Sequence, residues 1–87
     1  MNKVQNEIMM IAQEECAEVT QAISKVFRFG LESVHKERSN REHLEEEIGD
    51  LLCMIDLINE HGIVDWSKVE ASRGNKRLKL KQWSIIR

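Results

Sequence analysis

The chain has 87 residues, of which 41% are hydrophobic and 32% charged, and its net charge is −2. This length predicts a single domain over residues 1–87, with a core so small that a partner subunit is expected. The near balance of charge argues against nucleic acid as a partner. No apolar run approaches a membrane-spanning length, and the N-terminus lacks a signal-peptide pattern, so we expect a cytoplasmic protein without membrane contact.

The pattern of residues predicts an all-α chain, since there is no proline and glycine occurs only 4 times. Apolar residues recur at helical spacing from Val4 to Phe29, and Gly30 is a plausible stop. Residues 31–38 lack clear periodicity and are predicted to form a connection with at most a short helical turn.

A second helix is expected to begin near Asn40, because Ser39 and Glu42 have the spacing of a capping box. Its apolar residues continue to Ile58, and His61-Gly62 ends it. Asp65 is a suitable N-cap for a third helix, which runs to about Trp83 or breaks near Gly74. The two cysteines, Cys16 and Cys53, have no partners at zinc-ligand spacing and are predicted to be reduced, buried thiols.

Acidic residues occupy unusual positions on the first two helices. At 100° per residue, Glu15 falls inside the apolar arc of the first helix and Glu18 falls at its edge, whereas Glu14 lies further away. On the second helix, Glu47 and Asp50 lie beside the apolar arc in the same way. An antiparallel pair of these helices would bring four carboxylates together.

Four carboxylates at a helix interface need raised pKa values or a cation. Ligation by oxygen alone favours Mg²⁺, with Mn²⁺ as a substitute. Gly49, in the middle of the second helix, predicts a close approach by a neighbouring helix or a ligand. The alternative from position alone is an acidic two-helix module with surface ion pairs. Six basic residues and no acidic one lie between Arg73 and Arg87, and this basic tail is either a solvated face or a site for a polyanion.

The order Glu14-Glu15-x-x-Glu18, then Glu47-x-x-Asp50 after 28 residues, resembles the EExxE…ExxD signature of MazG-like all-α nucleoside triphosphate pyrophosphohydrolases. The segment Asn75-Lys76-Arg77 resembles the third element of that family. The resemblance implies a Mg²⁺-dependent enzyme that cleaves a nucleoside triphosphate, ribose or deoxyribose, into the monophosphate and pyrophosphate. It also implies a four-helix core completed by association into a homodimer or homotetramer.

The same resemblance implies roles for individual residues. The metal ligands are Glu15, Glu18, Glu47 and Asp50, and Glu14 or Glu18 accepts a proton from the attacking water. Charge on the leaving group calls for cations, and Asn75 is a candidate for binding the sugar or base. The candidate cations are Lys25, Arg28, Lys76 and Lys79.

Two other functions stay open on the sequence. A phosphoribosyl-ATP pyrophosphohydrolase shares the motif at a similar length. A helical dimerisation module with a basic C-terminal tail, binding a protein or nucleic acid, would have no activity at all.

Overall fold

A computed structural model describes residues 1–86, so Arg87 of the basic tail lies outside the described residues. The elements in chain order are α1 (Lys3–Phe29), β1 (Val34–His35), β2 (Arg38–Ser39), α2 (Asn40–Glu60) and α3 (Trp66–Trp83). The predicted all-α class is confirmed. The third helix continues through Gly74 without a break.

The ends of α1 and α2 follow from their capping residues. Asn2 and Gln5 form a capping box at the start of α1, and Ser39 and Glu42 form the predicted one at the start of α2. Gly30 has a φ of 95°, which residues other than glycine rarely adopt. Its N–H donates to the carbonyl of Val26 at 2.9 Å. The chain therefore leaves α1 sharply after Phe29.

The sequence predicts a connection with at most a short helical turn between the first two helices, and the structure has a short hairpin there. Val34 pairs with Ser39 and His35 with Arg38, so Lys36 and Glu37 form the turn. Asn40 N–H donates to the Ser33 carbonyl, which joins the hairpin to the first residue of α2. These strands were not predicted, because two residues are too few to show an alternating pattern.

The two long helices pack antiparallel and form the core. Ile8 and Ala12 of α1 are buried against Met54 of α2, with Leu57, Ile58 and Ile63 packed around them. A side-chain hydrogen bond joins the helices at each end. Gln5 Nε2 donates to the His61 carbonyl at 2.9 Å, and Asn40 Nδ2 donates to the Gly30 carbonyl at 2.9 Å. The middle of the pair is thereby held in register.

Helix α3 does not pack along α1 or α2, and it has no buried residue. The radius of gyration is 15.8 Å, against about 12 Å for a compact domain of this length. The molecule measures 40 × 37 × 14 Å, so it is flat. No helix within residues 1–86 combines the length and apolar character needed to cross a membrane.

The structure corrects one sequence prediction about small residues and tests part of another. Cys16 and Cys53 are exposed rather than buried, because α3 does not pack along α1 or α2 and leaves their outer faces open. Within residues 1–86 no neighbouring helix approaches Gly49, where an added Cβ would meet no atom within 4 Å. Both observations agree with the position of α3, which does not pack along α1 or α2 and so leaves the described part of the chain without a closed bundle.

Candidate metal centre

Three carboxylates meet where the middle of α1 crosses the middle of α2. One oxygen from each of Glu15, Glu47 and Asp50 lies within 4.8 Å of the others. Glu47 is buried, with 8% of its surface exposed, whereas Glu15 is half-buried and Asp50 is exposed. Glu47 and Asp50 are three residues apart, which places them side by side on α2. We call these three residues the acidic triad.

The acidic triad carries unbalanced negative charge. The pKa of the Glu15 carboxyl is raised from its ordinary value of 4.5, first by partial withdrawal from water and then by the charges of Asp50 and Glu47. Oxygen ligands of one Mg²⁺ ion lie about 3.0 Å apart when adjacent and about 4.2 Å apart when opposite, since each bond is about 2.1 Å. Side-chain rotations would have to shorten the spacing of the triad oxygens around one ion, and three carboxylate oxygens are the kind of donor set that a hard divalent ion prefers.

His43 supports the buried member of the acidic triad. Its Nε2 lies 3.3 Å from an oxygen of Glu47, one helical turn further along α2. Both side chains are largely withdrawn from water, with exposures of 14% for His43 and 11% for Glu47. Partners of this kind orient metal-binding carboxylates in proteins. His43 was not identified from the sequence, although its spacing from Glu47 is the i, i+4 of helical neighbours.

Glu14 and Glu18 lie next to the acidic triad on α1 but are not part of it. Both are exposed, and the negative charge of each raises the pKa of Glu15. Glu18 lines a cavity beside the triad, together with Lys25 and His43. The sequence led us to expect four converging carboxylates, and the structure brings three of them within one cluster.

The candidate phosphate-binding cations lie on two helices, and Lys25 and Arg28 are the ones on α1. Lys25 is half-buried and lines the cavity beside the acidic triad. Arg28 is exposed, and its guanidinium carbon lies 4.9 Å from the ring centre of Phe29. Of these two cations on α1, the structure therefore brings Lys25 to the cavity.

The candidates on α3 are not brought to the acidic triad. Asn75, Lys76 and Lys79 are all exposed on a helix that does not pack along α1 or α2. The ammonium of Lys76 lies 5.0 Å above the ring centre of Trp83. Within this chain, the role that the sequence suggests for these residues has no geometric support.

Asn40 is a second important residue that sequence reasoning missed. Only 5% of its surface is exposed, and its side-chain amide also lies 3.5 Å from the Lys25 carbonyl. It satisfies carbonyls that the end of α1 leaves without helical partners. The S-x-x-E motif marked the start of α2 but gave no sign that the next residue joins the two helices.

Comparison with known proteins identifies the family. The model of the MazG nucleotide pyrophosphohydrolase domain matches residues 4–77, which is most of the chain and includes the whole acidic triad. No curated protein and no solved structure gave a match. With its helical architecture and its paired acidic motifs, the chain belongs to the MazG nucleotide pyrophosphohydrolase domain family.

Proposed function

We propose that this protein hydrolyses nucleoside triphosphates, with ribose or deoxyribose, to the monophosphate and pyrophosphate in a Mg²⁺-dependent reaction. Mn²⁺ is expected to substitute for Mg²⁺, since both accept oxygen ligands in octahedral geometry. The observation that carries the proposal is the meeting of Glu15, Glu47 and Asp50 from two helices within 4.8 Å. Family membership over residues 4–77 supports the reaction class.

The acidic triad would hold the metal, with Glu18 as the nearest further carboxylate on α1. When bound, the divalent ion would make a coordinated water more acidic and offset charge on the phosphate oxygens. The water oxygen bonds to the α-phosphorus, and the bond from that phosphorus to its bridging oxygen breaks. The bridging oxygen keeps the electron pair and leaves as part of pyrophosphate.

We propose Glu18 as the acceptor of the proton that the attacking water loses. Glu18 lines the cavity beside the acidic triad, whereas Glu14, the other candidate, does not line it. Replacing Glu18 with Gln should then lower kcat strongly while leaving the affinity for Mn²⁺ within a few-fold of the original. Replacing Glu14 with Gln is the matched control and should change kcat less. A large loss of Mn²⁺ affinity in the Glu18 variant would make it a metal ligand instead.

A substrate panel tests the proposed reaction. Purified protein is incubated with Mg²⁺ and each ribo- and deoxyribonucleoside triphosphate, and with phosphoribosyl-ATP, and pyrophosphate release is measured. Release from at least one triphosphate, abolished by EDTA, is the expected result. Turnover of phosphoribosyl-ATP alone would assign the protein to that narrower reaction. Absence of release from every substrate would favour a non-enzymatic helical module with a basic tail.

We also propose that the protein works as a homodimer or homotetramer. Large apolar side chains are exposed on all three helices, among them Phe27 at 86%, Leu52 at 54% and Trp83 at 62%. Surface of this kind is typical of an interface between subunits. Sedimentation at micromolar concentration should show a species of at least twice the 10.2 kDa mass of one chain. A folded species with the mass of a single chain would contradict this part of the proposal.

A further inference from the structure

A cavity of about 230 Å³ lies directly beside the acidic triad, between the two long helices and the hairpin. Glu18, one turn beyond Glu15 on α1, and His43, one turn from Glu47 on α2, form its wall on the side of the triad. Lys25 lies two turns beyond Glu18, about 10 Å further along the helix axis. A molecule with one end at the triad can therefore extend into this cavity.

The far side of the cavity is rich in positive charge. It is lined by Lys25, Lys36 and Arg38, which come from α1, the hairpin turn and β2. Arg38 is paired with Glu46. Neither Lys25 nor Lys36 forms an ion pair within residues 1–86, and Lys25 is half-buried. Two ammonium groups that line one cavity and form no ion pair within residues 1–86 outnumber the single carboxylate of Glu18 there, and they favour an anionic ligand.

The turn that carries Lys36 to the cavity has an unfavourable backbone. Lys36 and Glu37 have φ values of 52° and 69°, in the left-handed region that normally favours glycine or asparagine. A two-residue hairpin loop requires φ values of this kind at both positions, so the hairpin sets the place of Lys36 on the cavity wall.

We propose that this cavity binds the β- and γ-phosphates of the substrate and holds them as the pyrophosphate leaving group. The inference rests on the proposed function, because it places the α-phosphate at the acidic triad. Lys25 and Lys36 would then offset the charge that develops on the leaving group. A nucleobase, which carries no charge, would not use these two ammonium groups. The hairpin therefore fills the role that the sequence suggested for the lysines of α3.

Pyrophosphate itself, added as its magnesium complex, is the probe. The three histidines report on position, since His35 and His43 line the cavity and His61 ends α2 at the other end of the helix pair. With Mg²⁺ at saturation, pyrophosphate should shift the imidazole NMR signal of His35 in a saturable way and leave that of His61 unchanged. No shift at His35 would overturn the proposal.

The test variant is Lys36→Asn, because asparagine tolerates the left-handed backbone of the turn while removing the charge. Its thermal stability should equal or exceed that of the original protein. Its affinity for pyrophosphate should fall about tenfold, the loss expected for one charged hydrogen bond. Lys68→Asn, on an exposed position of α3, is the matched control and should bind pyrophosphate normally. Equal affinity in the Lys36 variant and the original protein would overturn the proposal.

Failure of this inference is separable from failure of the proposed function. Binding of pyrophosphate requires no turnover, so saturable shifts at His35 would support the cavity as an anion site even if no nucleotide were hydrolysed. Conversely, hydrolysis by the Lys36→Asn variant with unchanged KM and unchanged pyrophosphate affinity would refute the cavity site and leave the hydrolase intact.

Discussion

The α1–α2 pair and α3 differ in how the rest of the chain holds them. The pair has buried apolar residues and a hydrogen bond at each end, from Gln5 to His61 and from Asn40 to Gly30. Helix α3 has no buried residue and does not pack along either helix. Groups on α1 and α2 are therefore positioned by this chain alone, whereas groups on α3 need a further contact to gain a fixed position.

This contrast separates the two sets of candidate site residues. The acidic triad and Lys25 lie on the α1–α2 pair, so metal binding should require only one chain. Asn75, Lys76 and Lys79 lie on α3, and any part they have in catalysis depends on assembly.

The largest effect is expected for Asp50→Asn. Loss of a direct metal ligand should lower the rate of pyrophosphate release by at least about 100-fold, since loss of a supporting partner alone costs about 10–100-fold. The metal-free melting temperature should stay equal or rise, because the substitution removes the negative charge of Asp50 next to Glu15. Asp56→Asn, also exposed on α2, is the control for both measurements. A clear fall in the metal-free melting temperature would show that Asp50 is a structural residue.

His43 tests whether the buried partner of Glu47 matters. His43→Ala should weaken Mn²⁺ binding by about 10–100-fold, because Glu47 loses the group that orients its carboxylate. His43→Gln keeps a side-chain N–H and should restore part of the affinity. Titration calorimetry measures both, with His61→Ala as the control on an exposed residue. Unchanged affinity in the alanine variant would remove His43 from the site.

Asn40 tests the connection between the helices at the hairpin end. Asn40→Ala should lower the free energy of unfolding by about 1–3 kcal/mol, since the Gly30 carbonyl loses its buried partner. Denaturant unfolding in EDTA gives this value without a contribution from metal. Asn59→Ala, at an exposed position of the same helix, should cost less. Equal losses in the two variants would mean that the amide does not hold the helices together.

The smallest effect is expected from pH. The pKa of Glu15 is raised from 4.5 in the folded protein. At a pH between 4.5 and this raised pKa, the folded protein therefore binds more protons than the unfolded chain. The charged carboxylate therefore destabilises the metal-free protein above the raised pKa, and this penalty disappears as the pH falls. Glu15→Gln should be more stable than the original protein at about pH 8, and the difference should shrink towards about pH 5. A difference that is constant over this range would contradict the account.

The sequence predicted most of the helices because capping and periodicity are local. Ser39 and Glu42 fixed the start of α2, and the angular positions of Glu15, Glu47 and Asp50 indicated a shared interface. The hairpin was missed, since its turn has Lys36 and Glu37 where glycine or asparagine is usual. The roles of Asn40 and His43 were missed because they depend on which atoms meet across elements or along a buried face. No periodicity encodes that information.

Paramagnetic broadening by Mn²⁺ tests whether two helices of one chain supply a single metal centre. Substoichiometric Mn²⁺ is added while the backbone amide NMR signals are followed. We predict that signals around Glu15 and around Glu47 and Asp50 weaken together and before the others, and that Asp50→Asn greatly reduces this loss of signal. Broadening confined to one helix, or broadening that the Asp50 variant leaves unchanged, would contradict it.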